Sequence, residues 1–459
     1  MADFIAQSTI DRFPQDVIDM SKKCLLDWLG VTLGGAGDAV SASIVDFVNE
    51  TGGKRQASVL GFGMRTNVLN AGLANGTMAH ALDYDDAHSV GRAHISAPLI
   101  AALLPIAEHK RLSGRDFITA MVMGFELSTR VGSALGKGYY EKGWYATAIL
   151  GRLGAAAGAG KLLGLRSDQL AVALGLAATQ AGGLRDVFGT MGKPFHAGKA
   201  AADGMLAALL AQRGFTAPAD VLDNGSGFSR VFSSSYEGDL ITANLGQVWN
   251  ILSNSFKLYA ACLLVHPVVD GLILLRGKYE LKSEEIEEIR VEVAPLNLAV
   301  TSNARPATGL EGKFSLSFAA ALSVLFGHAG STLFSNEVVH NPDVKRMMEK
   351  VTATSNSGIA ETEANIMVRL KNGQVHRIRV TSPKGDPKNP LSFAEIQQKF
   401  GELALSVLPE NRIGKIIERV RHLEDQKDIS TVVRLCCKRV KGQGERDRNG
   451  SKFRRKSVL

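Results

Sequence analysis

Apolar residues recur at helical spacing through most of the first half of the chain. In residues 14–50 the positions Ile18, Met20, Cys24, Leu25, Trp28 and Leu29 form one stripe, which Gly34-Gly35-Ala36-Gly37 ends before a second helix begins near Ser41. Residues 57–60 predict a short extended piece. Helical patterns then follow over residues 68–82 and 98–106. Another runs from the Ser113-Gly-Arg-Asp116 start signal to Val131, and more cover 147–165, the run after Ser167-Asp168 to Ala178, and 194–212, which Gly214 ends. Short loops between such segments predict antiparallel neighbours, so residues 1–254 are expected to form one all-helical domain.

The pattern changes after about residue 255. Residues 283–288 look like a charged helix start, and residues 289–293 alternate as Ile-Arg-Val-Glu-Val, a strand signature. Residues 366–370 and 375–380 flank Asn372-Gly373, which predicts a hairpin closed by a type I′ turn. Residues 255–390 are therefore expected to be an α+β domain, with Pro383, Pro387 and Pro390 marking a loop near its end. Helical spacing returns over residues 391–433, expected to pack back on the first domain. The fold class is mainly α, a large all-helical domain plus a smaller α+β lid.

Composition refines this picture. Of 459 residues 48 are glycine and only 6% are aromatic, which favours close helix packing. The net charge of +8 resides in residues 434–459, where ten Lys or Arg face two acids; the remainder holds 43 basic and 43 acidic groups. That stretch predicts a basic, disordered tail on a neutral body, and no nucleic-acid partner is expected. The four cysteines (Cys24, Cys262, Cys436, Cys437) show no zinc or iron–sulfur spacing. Neither a secretory signal nor a membrane-length apolar run is visible, so a cytoplasmic protein with no membrane partner is expected.

Candidate chemistry concentrates in residues 75–96, where Asp83, Asp85, Asp86, His80, His88 and His94 fall close together. Mixed oxygen and nitrogen donors suit a divalent ion, but neither HExxH nor facial-triad spacing is present, and metal-free acid–base chemistry is favoured over a metal site or an idle solvated loop. Ser96 and Pro98 suit a helix start, with Ser96 as N-cap. His94 then sits beside a positive dipole end that favours a neutral base and a bound carboxylate. Lys193, ahead of Pro194 and His196, opens another helix. A lysine there opposes the dipole, which makes sense if an anion binds, although an exposed lysine would look the same. Lys257, Tyr259, Cys262 and His266 cluster at the expected domain junction, where clefts form; His266 alone would also fit a core position. Arg305 and Lys313 make a fourth group. The Gly/Ala run over 151–160 lacks a preceding strand and signals helix packing, not a nucleotide loop.

These clusters, in this order, resemble the MmgE/PrpD family. The segments that carry the resemblance are NGTMAHALDYDDAH with AHISAP, GWYATAILGRLGAAAGAGKLLGL, FGTMGKPFHAGKAAADG, FKLYAACLLVHPVVD, RPATGLEGKFSLSF and PKGDPKNPLS. The family includes 2-methylcitrate dehydratases, cis-aconitate decarboxylases and iminodisuccinate epimerases. The resemblance implies a helical domain with an α+β lid, a homodimer, and no metal or organic cofactor. It implies catalytic roles for Asp83, His94, Lys193 and Lys257, with Cys262 and His266 lining the same pocket as substrate contacts; Tyr145 joins the catalytic candidates, and His196, Arg305 and Lys313 the candidate substrate contacts. Tyr145 stands where many relatives have histidine. Phe318 and Ala87 stand where decarboxylases have tyrosine and threonine, and the loop from Asp83 to His94 is one residue longer.

The expectation is a cofactor-free lyase acting on a small di- or tricarboxylate, with His94 or Asp83 moving a proton next to a carboxylate and Lys193 and Lys257 offsetting the charge that builds. Tyr145 or His196 would supply a proton elsewhere on the substrate. Dehydration of the 2-methylcitrate type comes first. Decarboxylation of the cis-aconitate type and epimerisation of a substituted succinate are alternatives, and a non-catalytic scaffold that keeps the fold is the rival of another class.

Overall fold

The computed structural model describes residues 1–222 and 227–438. Helices Val68–Ala81, Ser96–Lys110, Gly114–Leu135, Ala146–Leu162 and Gly192–Gln212 form the centre of a helical body. They are buried on nearly every side, so their apolar runs are broader than a single stripe. Gln15–Gly35 flanks them and turns into Ala39–Thr51 through the predicted glycine-rich break. Ser113 and Asp116 form a reciprocal capping box at the start of Gly114–Leu135.

One glycine crossing sets the position of the site. A Cβ on Gly76 would lie 2.7 Å from Gly198 Cα, and one on Gly198 would lie 2.1 Å from the Leu73 carbonyl oxygen. Only paired glycines permit that approach. It lays the start of Gly192–Gln212 beside the end of Val68–Ala81, and so brings Lys193 to Asp83.

A second core gathers residues 259–380. Its four strands lie in the order Val351–Ser355, Ile286–Val293, Ala364–Leu370, Val375–Val380, with only the first pair parallel. Ile289, Val291, Val293, Ile366 and Val368 turn to the face covered by helices His266–Tyr279 and Leu316–Phe326. The chain then returns. Phe393–Ala404 packs on Gln15–Gly35, and Ile396 and Phe400 join the core of the helical body. Among the described residues no single helix is long and apolar enough to cross a membrane.

Local expectations are corrected at four places. Residues 283–288 do not start an α-helix. Ser283–Glu285 is one 3-10 turn, and the strand already begins at Ile286, where a bulge keeps both Ile286 and Ile289 inside. The Asn372-Gly373 turn is not type I′, since only Gly373 has positive φ (86°). Leu370 accepts from the Gly373 N–H and donates to Gln374, the three-residue loop of a type I turn with a glycine bulge. Ser96 is the first helical residue rather than a cap, and its hydroxyl donates to Asp86 instead. The tail expectation falls mainly on residues 439–459, outside the described residues. Its first residues are ordered, because Ser430–Leu435 is helical and Cys436 is buried in the core.

Candidate active site

Helix Val68–Ala81 ends at Leu82, and Asp83 follows in the left-handed region with φ 49°. Aspartate tolerates that conformation better than a branched residue. Its carboxylate meets two lysines from remote segments. Asp83 Oδ1 lies 2.7 Å from Lys193 Nζ and 2.5 Å from Lys257 Nζ. Lys257 also donates to the Asp83 carbonyl oxygen at 2.8 Å. Its segment is held by the antiparallel pairing of Ala87–His88 with Asn254–Ser255.

Burial pushes the Asp83 carboxyl up, but the Lys193 and Lys257 ammoniums outweigh it and hold it well below the usual carboxylate range. Burial lowers the Lys193 ammonium, against the pull of Asp83. Lys193 Nζ also stands 5.4 Å and 5.2 Å from the ring centres of Phe188 and Phe314. Two ammoniums around one carboxylate leave a net positive charge, which suits an anionic ligand. Asp83 is correspondingly a poor base.

The imidazoles are oriented by acceptors. His94 Nδ1 lies 2.9 Å from the Asp86 carbonyl oxygen and 3.2 Å from Asp85 Oδ2. Those oxygens only accept, so Nδ1 carries hydrogen and Nε2 is left to exchange a proton. His80 Nδ1 contacts Asp85 at 2.9 Å, and its Nε2 accepts from the Tyr145 hydroxyl at 2.5 Å. Burial, only partly opposed by Asp85, lowers His80 to about 4, so it is neutral near pH 7. Burial pushes the Tyr145 phenol well up and keeps it protonated.

These groups line a cavity of about 130 Å³ that includes Asp83, His94, Tyr145, Lys193, Lys257 and Cys262. Phe188 and Phe314 form an apolar wall, and Arg92 and Glu361 also line the space. Burial and the nearby Asp83 charge raise the Cys262 thiol, which favours the neutral form.

Four expected substrate contacts are not among the residues that line this cavity. His196 is half-buried behind the Tyr145 ring, outside the lining. His266 is fully buried with both ring nitrogens unpartnered and packs on Tyr259, a core setting in which burial lowers it to about 3. Arg305 is exposed on a loop and is not part of the lining. Lys313 points inward, but its ammonium donates to the Leu82 carbonyl at 2.5 Å and so terminates the helix ahead of Asp83. Phe318 is likewise a packing residue, buried against Phe334. Arg92, Tyr140, Phe188 and Glu361 line the cavity without having been anticipated. The only hint of Arg92 was the longer loop.

Donor atoms of His80, Asp83, Asp85 and His94 lie within 4.8 Å of one another, a set that a divalent ion would accept by type. Each residue is already engaged, however, and a cation there would stand beside two ammoniums. The residues fit an anion better.

Residues 1–240 match the MmgE/PrpD N-terminal domain and residues 259–425 the MmgE/PrpD C-terminal domain. The chain belongs to the MmgE/PrpD family, and it is an enzyme of the lyase class. It is 29% identical to a cis-aconitate decarboxylase of Aspergillus terreus, over 93% of this chain and 92% of that one. It is similar also to the cis-aconitate decarboxylase-like protein oryM of Aspergillus oryzae (29%, over 95% and 96%) and to the human cis-aconitate decarboxylase (27%, over 91% and 90%).

Proposed function

We propose that this chain is a cofactor-free decarboxylase of a small tricarboxylate of the cis-aconitate type. The observation that carries this reading is the convergence of Lys193 and Lys257 on Asp83, beside the free Nε2 of His94 in one small cavity. The named relatives support decarboxylation over the dehydration that came first from the sequence.

In such a substrate one carboxylate sits on a methylene next to a carbon–carbon double bond. When its C–C bond breaks, carbon dioxide leaves and the electron pair forms a new terminal double bond. The old double bond moves its electrons toward the far carboxylate, where Lys193 and Lys257 offset the growing charge. Protonated His94 gives its Nε2 proton to the former vinyl carbon. A trianion and one proton thus become a dianion and carbon dioxide, and His94 recovers its proton from solvent. Asp83 is the shared counter-charge of Lys193 and Lys257 in a buried site and does not act as the base. The Tyr145 hydroxyl donates its one proton to His80 Nε2, so Tyr145 lines the cavity without the proton for the substrate that was expected of it.

Purified protein is incubated with cis-aconitate, 2-methylcitrate, citrate and substituted succinates, and carbon dioxide and products are measured. One carbon dioxide per cis-aconitate consumed is expected. Dehydration of 2-methylcitrate or epimerisation of a succinate, with cis-aconitate untouched, would overturn the reading.

A further inference from the structure

The cavity holds an ion pair that proton transfer does not use. Arg92 Nη2 lies 2.8 Å from Glu361 Oε1, and the two residues come from opposite units, the helical body and the α+β unit. The arginine is the fixed partner. It has φ 48°, at the end of a tight turn whose Arg92 N–H donates to Ser89. The Tyr139 hydroxyl donates to the Gly91 carbonyl at 2.8 Å, and the Tyr140 ring lies 5.3 Å from the guanidinium carbon. A non-glycine residue held in that conformation stores strain that the surroundings must sustain. Glu361 is the freer partner. Asn297 Nδ2 holds its backbone carbonyl at 2.9 Å, but its side chain is 37% exposed, against 13% for Arg92.

A tricarboxylate brings one more carboxylate than Lys193 and Lys257 can each meet singly. We infer that Arg92 is the third carboxylate anchor of the site, and that the Glu361 carboxylate occupies its guanidinium until substrate displaces it. This rests on the tricarboxylate reading above. A guanidinium offers a planar pair of donors that matches a carboxylate, so the exchange swaps one carboxylate for another at a preformed site. It needs only a side-chain rotation of Glu361 toward solvent. The cost of displacing Glu361 falls on every ligand that reaches Arg92. The gain goes only to ligands with a third carboxylate, so the pair selects trianions over dianions.

The test uses unreactive ligands and calorimetric binding. The probes are propane-1,2,3-tricarboxylate and glutarate, which lacks the central carboxylate. Arg92→Gln is expected to weaken the tricarboxylate by ~10-fold or more while glutarate changes by less than ~2-fold. Glu361→Gln is expected to tighten the tricarboxylate by ~3- to 10-fold, since its competitor is gone. Equal loss of both ligands in Arg92→Gln, or unchanged or weaker tricarboxylate binding in Glu361→Gln, would overturn the inference and leave the decarboxylase reading standing. If the unmodified protein binds neither ligand, both fall together.

Discussion

Lys257 meets Asp83 twice, at 2.5 Å from its carboxylate Oδ1 and at 2.8 Å from its backbone carbonyl oxygen. The same carboxylate oxygen serves Lys193. One aspartate therefore carries the charge balance for two buried ammoniums. Asp83→Asn leaves both without a counter-charge and is expected to cost about 3–5 kcal/mol, read as a lower denaturant midpoint. Adding Lys257→Met should restore part of that loss. Because Asp83 is held below its ordinary range, its contribution is complete above that range and vanishes as pH falls through the folded value.

Asp86 behaves in the opposite sense. Burial, reinforced by the Asp27 charge, raises its carboxyl to about 7 from 3.8. Between those values the folded protein holds a proton that the unfolded chain has released. Stability therefore falls as pH rises across the window, and the full penalty applies above about 7. Asp86→Asn removes this group from the titration. Melting temperatures from pH 5 to pH 8 should fall less steeply in the variant than in the parent protein. Identical slopes would show that Asp86 is ionised throughout.

The parts of the site that the sequence made legible share a local signature. Asp83 and His94 stand in a dense acid–imidazole stretch, Lys193 violates a helix-end preference, and Lys257 opens a segment at a change of pattern. Each signal lies within a few residues of its bearer. Glu361 has none, because it reaches the cavity only when the α+β unit meets the helical body; Phe188 has none because no short window shows which face an aromatic presents, and Arg92 had only the longer loop before His94. His266 and Arg305 show the converse. A histidine on an apolar helix and an arginine in a loop have the right chemistry, but only packing decides whether they face a cavity. At the level of elements, helical periodicity located the long helices well. The bulge at Ile286 and the glycine-bulge turn at Gly373 depend on strand pairing, which no short window contains.

The crowded donor set has a direct check. His80, Asp83, Asp85 and His94 are close enough to hold an ion, yet the Lys193 and Lys257 ammoniums occupy the Asp83 side of the cluster. Prolonged chelation followed by assay should leave turnover unchanged. Activity that is lost on chelation and restored by a divalent ion would mean that the lysines move aside for a metal.

The central claim is that His94 Nε2 delivers the proton that replaces carbon dioxide, because Nδ1 is tied to Asp86 and Asp85. The most direct measurement is the turnover of cis-aconitate in deuterated water, followed by proton NMR, for the parent protein and for His94→Ala. The account predicts a product with one deuterium at the former vinyl carbon, placed on a single face, and a rate reduced ~10²-fold or more in the variant. Near-normal turnover with the same labelling in His94→Ala, or a product that carries no deuterium at that carbon, would contradict it.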